Sequence, residues 1–210
     1  LMSLPKPVLY HIPFFCSSRP LHIINALGLE DKIEVKTVDY AFIKSEAFLK
    51  INPHGSVPAF VESDGTVILE SGAIALYIAE QYGEKEKWFG EQRLKGKLYQ
   101  WLFYAPATMY PLVATGYAEK HIPADHQDPS RIARAKERFQ TCLQILDSAL
   151  GQNDYLLGTK APTLADIFVS YEVYGSLHLG WLDEAKFPRL KAYLDRLQSL
   201  ACFKKTYPSG

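Results

Sequence analysis

The apolar positions of the first third of the chain change period several times, and each change marks a new element. Val8-Leu9-Tyr10-His11-Ile12 is a short β-rich run stopped by Pro13, the pattern of a strand. Leu21, Ile23, Ile24, Ala26 and Leu27 then recur at helical spacing. Pro20 falls in the first turn of that helix, where its missing N–H is harmless, and Gly28 supplies the stop. Ile33 to Val38 alternates apolar with polar or charged residues and predicts a second strand. A β-α-β opening favours a parallel pair with a right-handed crossover. Phe42 to Leu49 is weakly helical and runs into the turn formers Asn52-Pro53-His54-Gly55. Val57 to Val61 and Thr66 to Leu69 flank Ser63-Asp64-Gly65 and predict a hairpin. Ser71 is expected to cap a helix over Ile74 to Tyr82 that stops at Gly83.

After the polar stretch Gly83 to Lys87 the period stays helical. Segments near Arg93 to Tyr117, Arg131 to Leu150, Leu164 to Leu179 and Leu190 to Leu200 are separated by Pro123, Pro129, Gly158, Pro162 and Pro188. The expected fold is α/β followed by all-α. An open-sheet domain covers residues 1–83, a linker 84–90 and a helical bundle domain 91–210.

Composition narrows the function classes. Hydrophobic residues make up 48% and charged residues 22% of 210, the balance of an ordinary globular protein. Lys and Arg number 23, as do Asp and Glu, which argues against a nucleic-acid binder or a binder of anionic membranes. No apolar run approaches the roughly 18 to 20 residues that span a bilayer. Leu1 to Pro7 lacks the apolar core of a signal peptide, so a cytoplasmic setting is expected. Cys16, Cys142 and Cys202 are scattered, with neither a disulfide framework nor zinc-ligand spacing.

The strongest chemical signal is Asn52-Pro53-His54-Gly55-Ser56-Val57-Pro58-Ala59, followed by Glu70-Ser71-Gly72-Ala73-Ile74. A proline entering a strand cannot donate to the ladder, so Pro58 implies a sheet edge or a cis turn. A cis Val57–Pro58 bond would leave the Val57 backbone able to pair with an extended peptide. Ser71 and the free N–H groups of a helix start suit a carboxylate, and Glu70 beside them suits an ammonium group. Peptide backbone, carboxylate and ammonium together describe the γ-glutamyl-cysteinyl part of glutathione.

On these motifs the chain resembles the cytosolic glutathione transferase family over nearly its whole length. Its members carry an Asn-Pro-x-Gly-x-Val-Pro turn and a Glu/Asp-Ser pair in a thioredoxin-like domain of order βαβαββα. Trp101-Leu102 and the Thr163-Leu164-Ala165-Asp166 helix start also match; in the latter, Thr163 caps and Asp166 answers back, a folding role. The resemblance implies that Val57 and Pro58 hold the cysteinyl part of glutathione, a co-substrate, and that Glu70 and Ser71 hold its γ-glutamyl end. His54 and Lys44 are candidates for the glycyl carboxylate. It also implies a homodimer, no permanently bound cofactor and no metal. Phe15 stands where serine-type members carry their hydroxyl. Cys16 coincides with the cysteine of the bacterial beta class, whose Cys-Ser start this chain shares.

Cys16 is the first candidate to act on the thiol, because a cysteine just before a helix start and near Arg19 is placed to favour a thiolate. Ser17, Ser18 and Tyr10 remain alternatives. Tyr110 stands where the beta class has a histidine, which puts that class in question. Phe14, Phe15, Tyr104, Tyr110 and Tyr117 are the candidates to line a hydrophobic-substrate site at the junction of the two domains. Three functions stay open at this point. One is conjugation of glutathione to hydrophobic electrophiles, with detoxification the implied role. Another is thiol transfer or peroxide reduction through a mixed disulfide at Cys16, and the last is a non-catalytic interaction or ligand-binding protein.

Overall fold

The computed structural model describes residues 5–83 and 88–208. Most of the expected linker, at 84–87, lies outside the described residues. Two compact units emerge, one of Leu1–Lys85 with Gln198–Gly210 and the other of Glu86–Leu197.

In the first unit, β1 (Val8–His11), β2 (Glu34–Thr37), β3 (Ala59–Val61) and β4 (Val67–Leu69) form one sheet in the order β2-β1-β3-β4. β1 and β2 run parallel, with Leu9 opposite Val35; β1–β3 and β3–β4 are antiparallel. This is the thioredoxin-like arrangement expected from the sequence. Alternation along β1 decides what each face holds. Leu9 and His11 are buried on one side, while Tyr10 joins Phe42 and Phe48 on a cluster built from Ile43, Phe48, Val57 and Ala59. Between β1 and β2 lies α1 (Ser18–Leu27), which packs on α4 (Ser71–Tyr82). The weak helical stretch after β2 is two single turns, α2 (Tyr40–Ile43) and α3 (Glu46–Leu49), each opened by a side-chain cap from Asp39 or Ser45.

The second unit is all-helical, and its long helices depart from the expected pattern in one informative place. The segment expected to be continuous to Tyr117 is α5 (Lys95–Tyr104), a π turn (Ala105–Met109) and α6 (Tyr110–Lys120). Pro106 and Pro111 have no N–H to give to the ladder, and the wider turn, closed by Tyr110 N–H to Ala105 C=O, absorbs the interruption. α7 (Pro129–Leu150), α8 (Leu164–His178) and α9 (Pro188–Ser199) follow. No described helix is long and apolar enough to cross a membrane. The α6 surface meets the end of α8 so closely that a Cβ built on Gly116 would lie 2.7 Å from the Trp181 ring and 2.8 Å from Leu179 Cδ1. Gly116→Ala is therefore expected to cost about 1–3 kcal/mol through overpacking, read as a lowered urea midpoint.

A short last helix, α10 (Ala201–Thr206), was not foreseen. It returns to α1 in the first unit, whereas the sequence placed all of 91–210 with the helical domain. Asn25 Nδ2 donates to Thr206 Oγ1 at 2.9 Å, and Lys205 pairs with Glu30. Six residues carry too little periodicity to reveal such a docking partner.

Candidate functional site

Three pieces of the first unit carry most of the sequence candidates. The first is the corner from β1 into α1. Phe14 sits at φ 64, and the rings of Phe14 and Phe15 are 56% and 45% exposed. Ser17, directly before α1, is fully buried. Its Oγ lies 2.9 Å from His11 Nδ1, accepts from the Ile12 N–H and can donate to the Ile12 carbonyl. Burial pushes His11 down to about 4, against a smaller opposing effect of its bond to Ser17, so the imidazole is neutral at pH 7. The Ser17 hydroxyl is thus occupied in holding the corner together. Cys16 is half-buried, and its thiol donates to the Val57 carbonyl at 3.1 Å. Tyr10 points to the other face of β1, its ring stacked on Phe42 at 6.2 Å and edge-on to Phe48 at 5.3 Å.

The second piece is the turn ahead of β3. Asn52 is buried and acts as its brace: Nδ2 donates to the Ser56 carbonyl at 2.6 Å, and Oδ1 accepts from the His54 N–H at 3.1 Å. Gly55 has φ 57, and a Cβ there would stand 3.0 Å from the Ile43 carbonyl. Lys44 Nζ donates to the Gly55 carbonyl at 2.7 Å, while the His54 side chain is exposed. The turn ends in a cis Val57–Pro58 bond. Among the described residues the Val57 N–H makes no hydrogen bond.

The third piece is the handover from β4 to α4. The structure moves the cap one residue back from where the sequence put it. Glu70 is the N-cap, at φ 72, and Ser71 is the first helical residue. The N–H groups of the first turn have no intrahelical acceptor, so they remain available to an anion. Ser71 Oγ instead accepts from Arg19, whose guanidinium N is 2.9 Å away and whose side chain is only 1% exposed. In the sequence, Arg19 has a role only through its nearness to Cys16. A cation in the first turn of α1 faces the unfavourable end of that helix dipole, and this was a readable sign that it answers to something else.

The aromatic candidates of the second unit differ in their bonds. Tyr117 donates to the Gly175 carbonyl at 3.1 Å, and Tyr104 interacts with the buried Cys142. Burial is the main reason both phenols are held above their usual range. Tyr110 lies against the Tyr171 ring at 6.2 Å. Among the described residues no three His, Cys, Asp or Glu side chains gather as metal ligands would.

Comparison with known proteins supplies the frame for these features. Residues 7–80 match the family described as glutathione S-transferase, N-terminal domain, and residues 129–196 match glutathione S-transferase, C-terminal domain. The chain belongs to the glutathione S-transferase family. It is 28% identical over 204 residues to a glutathione S-transferase, stcT, of Emericella nidulans, covering 94% of this chain and 89% of that one. It is also 38% identical over 143 residues to elongation factor 1-gamma of Artemia salina; that match covers 68% of this chain but only 31% of the relative. Among solved structures, a glutathione transferase homolog of Lodderomyces elongisporus with two glutathiones per subunit superposes with a TM-score of 0.84, at 23% identity, over 98% of this chain and 100% of that chain. In this family member, the N-terminal match spans all three pieces of the candidate site.

Proposed function

We propose that this glutathione S-transferase family member binds glutathione along the three pieces of its first unit and joins the sulfur to small, mostly hydrophobic electrophiles. The observation that carries the reading is the approach of the Cys16 thiol to the Val57 carbonyl at 3.1 Å. A peptide pairing with the Val57 backbone would bring its own cysteinyl sulfur beside Cys16. In this reading Ser71 and the first-turn N–H groups of α4 take the γ-glutamyl carboxylate, and Glu70 takes its ammonium group. Lys44 and His54 flank the glycyl end. The exposed Phe14 and Phe15 rings offer apolar surface to the electrophile. The thiolate attacks the electrophilic carbon, a C–S bond forms and the leaving group departs with the bonding pair.

Isothermal titration calorimetry with reduced glutathione tests the reading. Ser71→Ala removes a hydrogen bond to a charged group, worth about 1.5–3 kcal/mol, so the Kd is expected to rise about tenfold or more. Absence of binding by the wild-type chain at millimolar glutathione would overturn it.

A second reading has its own support in the 38% identity to elongation factor 1-gamma. The chain would then serve as an interaction module in which the pocket is vestigial. Glutathione binding discriminates, because an interaction module has no need of a functioning Val57 and Ser71.

A further inference from the structure

His22 lies in the middle of α1 and is fully buried, yet among the described residues neither ring nitrogen has a hydrogen-bond partner. Its surroundings are aromatic edges: Phe203 of α10 at 5.6 Å and Tyr207, just beyond α10, at 5.7 Å, both nearly perpendicular to it. Phe203 and Tyr207 are themselves packed together at 4.7 Å. A neutral imidazole fits such a seam; an imidazolium would need acceptors that it lacks.

We propose that the seam between α1 and α10 is an acid-sensitive latch, closed while His22 is neutral and opened when it takes a proton. The other charged or titratable groups around the seam offer that proton no compensation. Arg19, one turn earlier on α1, is directed to Ser71. On α10, Lys205 is held by Glu30, and the remaining groups are Lys204 and Cys202. Tyr77 and Tyr82 of α4 both donate to Glu62, and Glu80 of that helix is exposed. Glu30 is the nearest carboxylate in chain order to this seam, and its bond to Lys205 lowers its proton affinity.

Burial lowers His22 to about 3, while a histidine released to solvent titrates near 6.5. The docked state therefore binds fewer protons than the undocked one. Docking is complete at neutral pH and weakens as the pH falls below about 6.5, by up to tenfold in its equilibrium constant per unit. His11, also buried and neutral, has the same sign of dependence, but its ring faces Ser17 at the β1–α1 corner. The latch grips the helix that carries Arg19 to Ser71. Where the glutathione reading holds, an open latch also weakens that site.

Amide hydrogen exchange, corrected for the intrinsic pH dependence, tests the latch on the full chain. Protection in residues 201–207 should fall by about tenfold per unit between pH 6 and 4.5, while α4 stays protected. In His22→Phe, which keeps an aromatic ring in the seam and cannot be protonated, the fall should vanish. Equal falls in both proteins, or simultaneous loss across α4, would overturn the proposal. If the variant does not fold, the imidazole resonance of His22 in the wild-type chain decides: a midpoint at or above 6 refutes the latch, and any lower midpoint upholds it. Calorimetry with reduced glutathione at pH 7 and 5 keeps the two readings apart, since a chain that binds no glutathione at either pH can still show the exchange pattern.

Discussion

Replacing Cys16 with alanine is expected to abolish formation of a mixed disulfide between the protein and oxidised glutathione. It should also lower any thiol-transfer activity by about a thousandfold or more, the scale on which removal of an attacking nucleophile acts. The reasoning starts from place. Cys16 is half-buried at the β1–α1 corner, with its sulfur on the Val57 carbonyl that would meet the cysteinyl part of the tripeptide. In the balanced step, the Cys16 thiolate attacks one sulfur of oxidised glutathione, a protein–glutathione disulfide forms, and one glutathione thiolate leaves. Intact mass after mixing reads the adduct directly. A single adduct in the wild type that is missing in Cys16→Ala supports the beta-like, thiol-transferring version of the function. An unchanged adduct in the variant would move the reaction to Cys142 or Cys202. Conjugation that survives Cys16→Ala would instead favour Ser17 or Tyr10. Both would need to leave their present surroundings, since Ser17 is engaged with His11 and Ile12, and the Tyr10 ring is packed on Phe42 and Phe48.

The largest expected effect on stability belongs to Asp166, at the start of α8. Its carboxylate is fully buried and accepts four hydrogen bonds: from the Leu156 N–H at 2.9 Å, the Thr163 N–H at 2.7 Å, the Thr163 hydroxyl at 2.9 Å and the Tyr193 hydroxyl at 3.1 Å. These donors come from the loop before α8, from its cap and from α9, so one side chain ties three segments of the second unit together. Asp166→Ala strands buried donors at about 1–3 kcal/mol each and removes the reciprocal cap. A loss of about 3–5 kcal/mol is expected, allowing for partial relaxation. At about 2–4 °C per kcal/mol for a chain of this size, the melting midpoint should fall by roughly 6–20 °C in a calorimetric scan. A fall of only a degree or two would mean that water reaches the vacated site and satisfies the donors.

Both residues were visible in the sequence, for different reasons. Thr163 and Asp166 stand three apart before an apolar run, a local pattern with a local cause. The Asn52 to Pro58 turn was legible on the same ground, because Pro and Gly constrain the backbone wherever they occur. What escaped was set by partners distant in sequence. Arg19 meets Ser71 across 52 residues, and no periodicity near either announces the other. The π turn had a local cue in Pro106 and Pro111, but apolar spacing on either side masked it as one helix. α10 was missed because Phe203, and Tyr207 just beyond the helix, make sense only against His22.

The place of α10 also bears on how the chain is made. Synthesis proceeds from the N-terminus, and the sheet with α1 to α4 leaves the ribosome long before residue 198 is added. At that moment the face of α1 that holds His22 is uncovered. The helical unit over Glu86–Leu197 is released whole, whereas the first unit must wait for its last segment. The order of emergence is thus reversed in the order of completion, and the nascent sheet domain keeps the His22 face of α1 uncovered until residues 201–207 arrive.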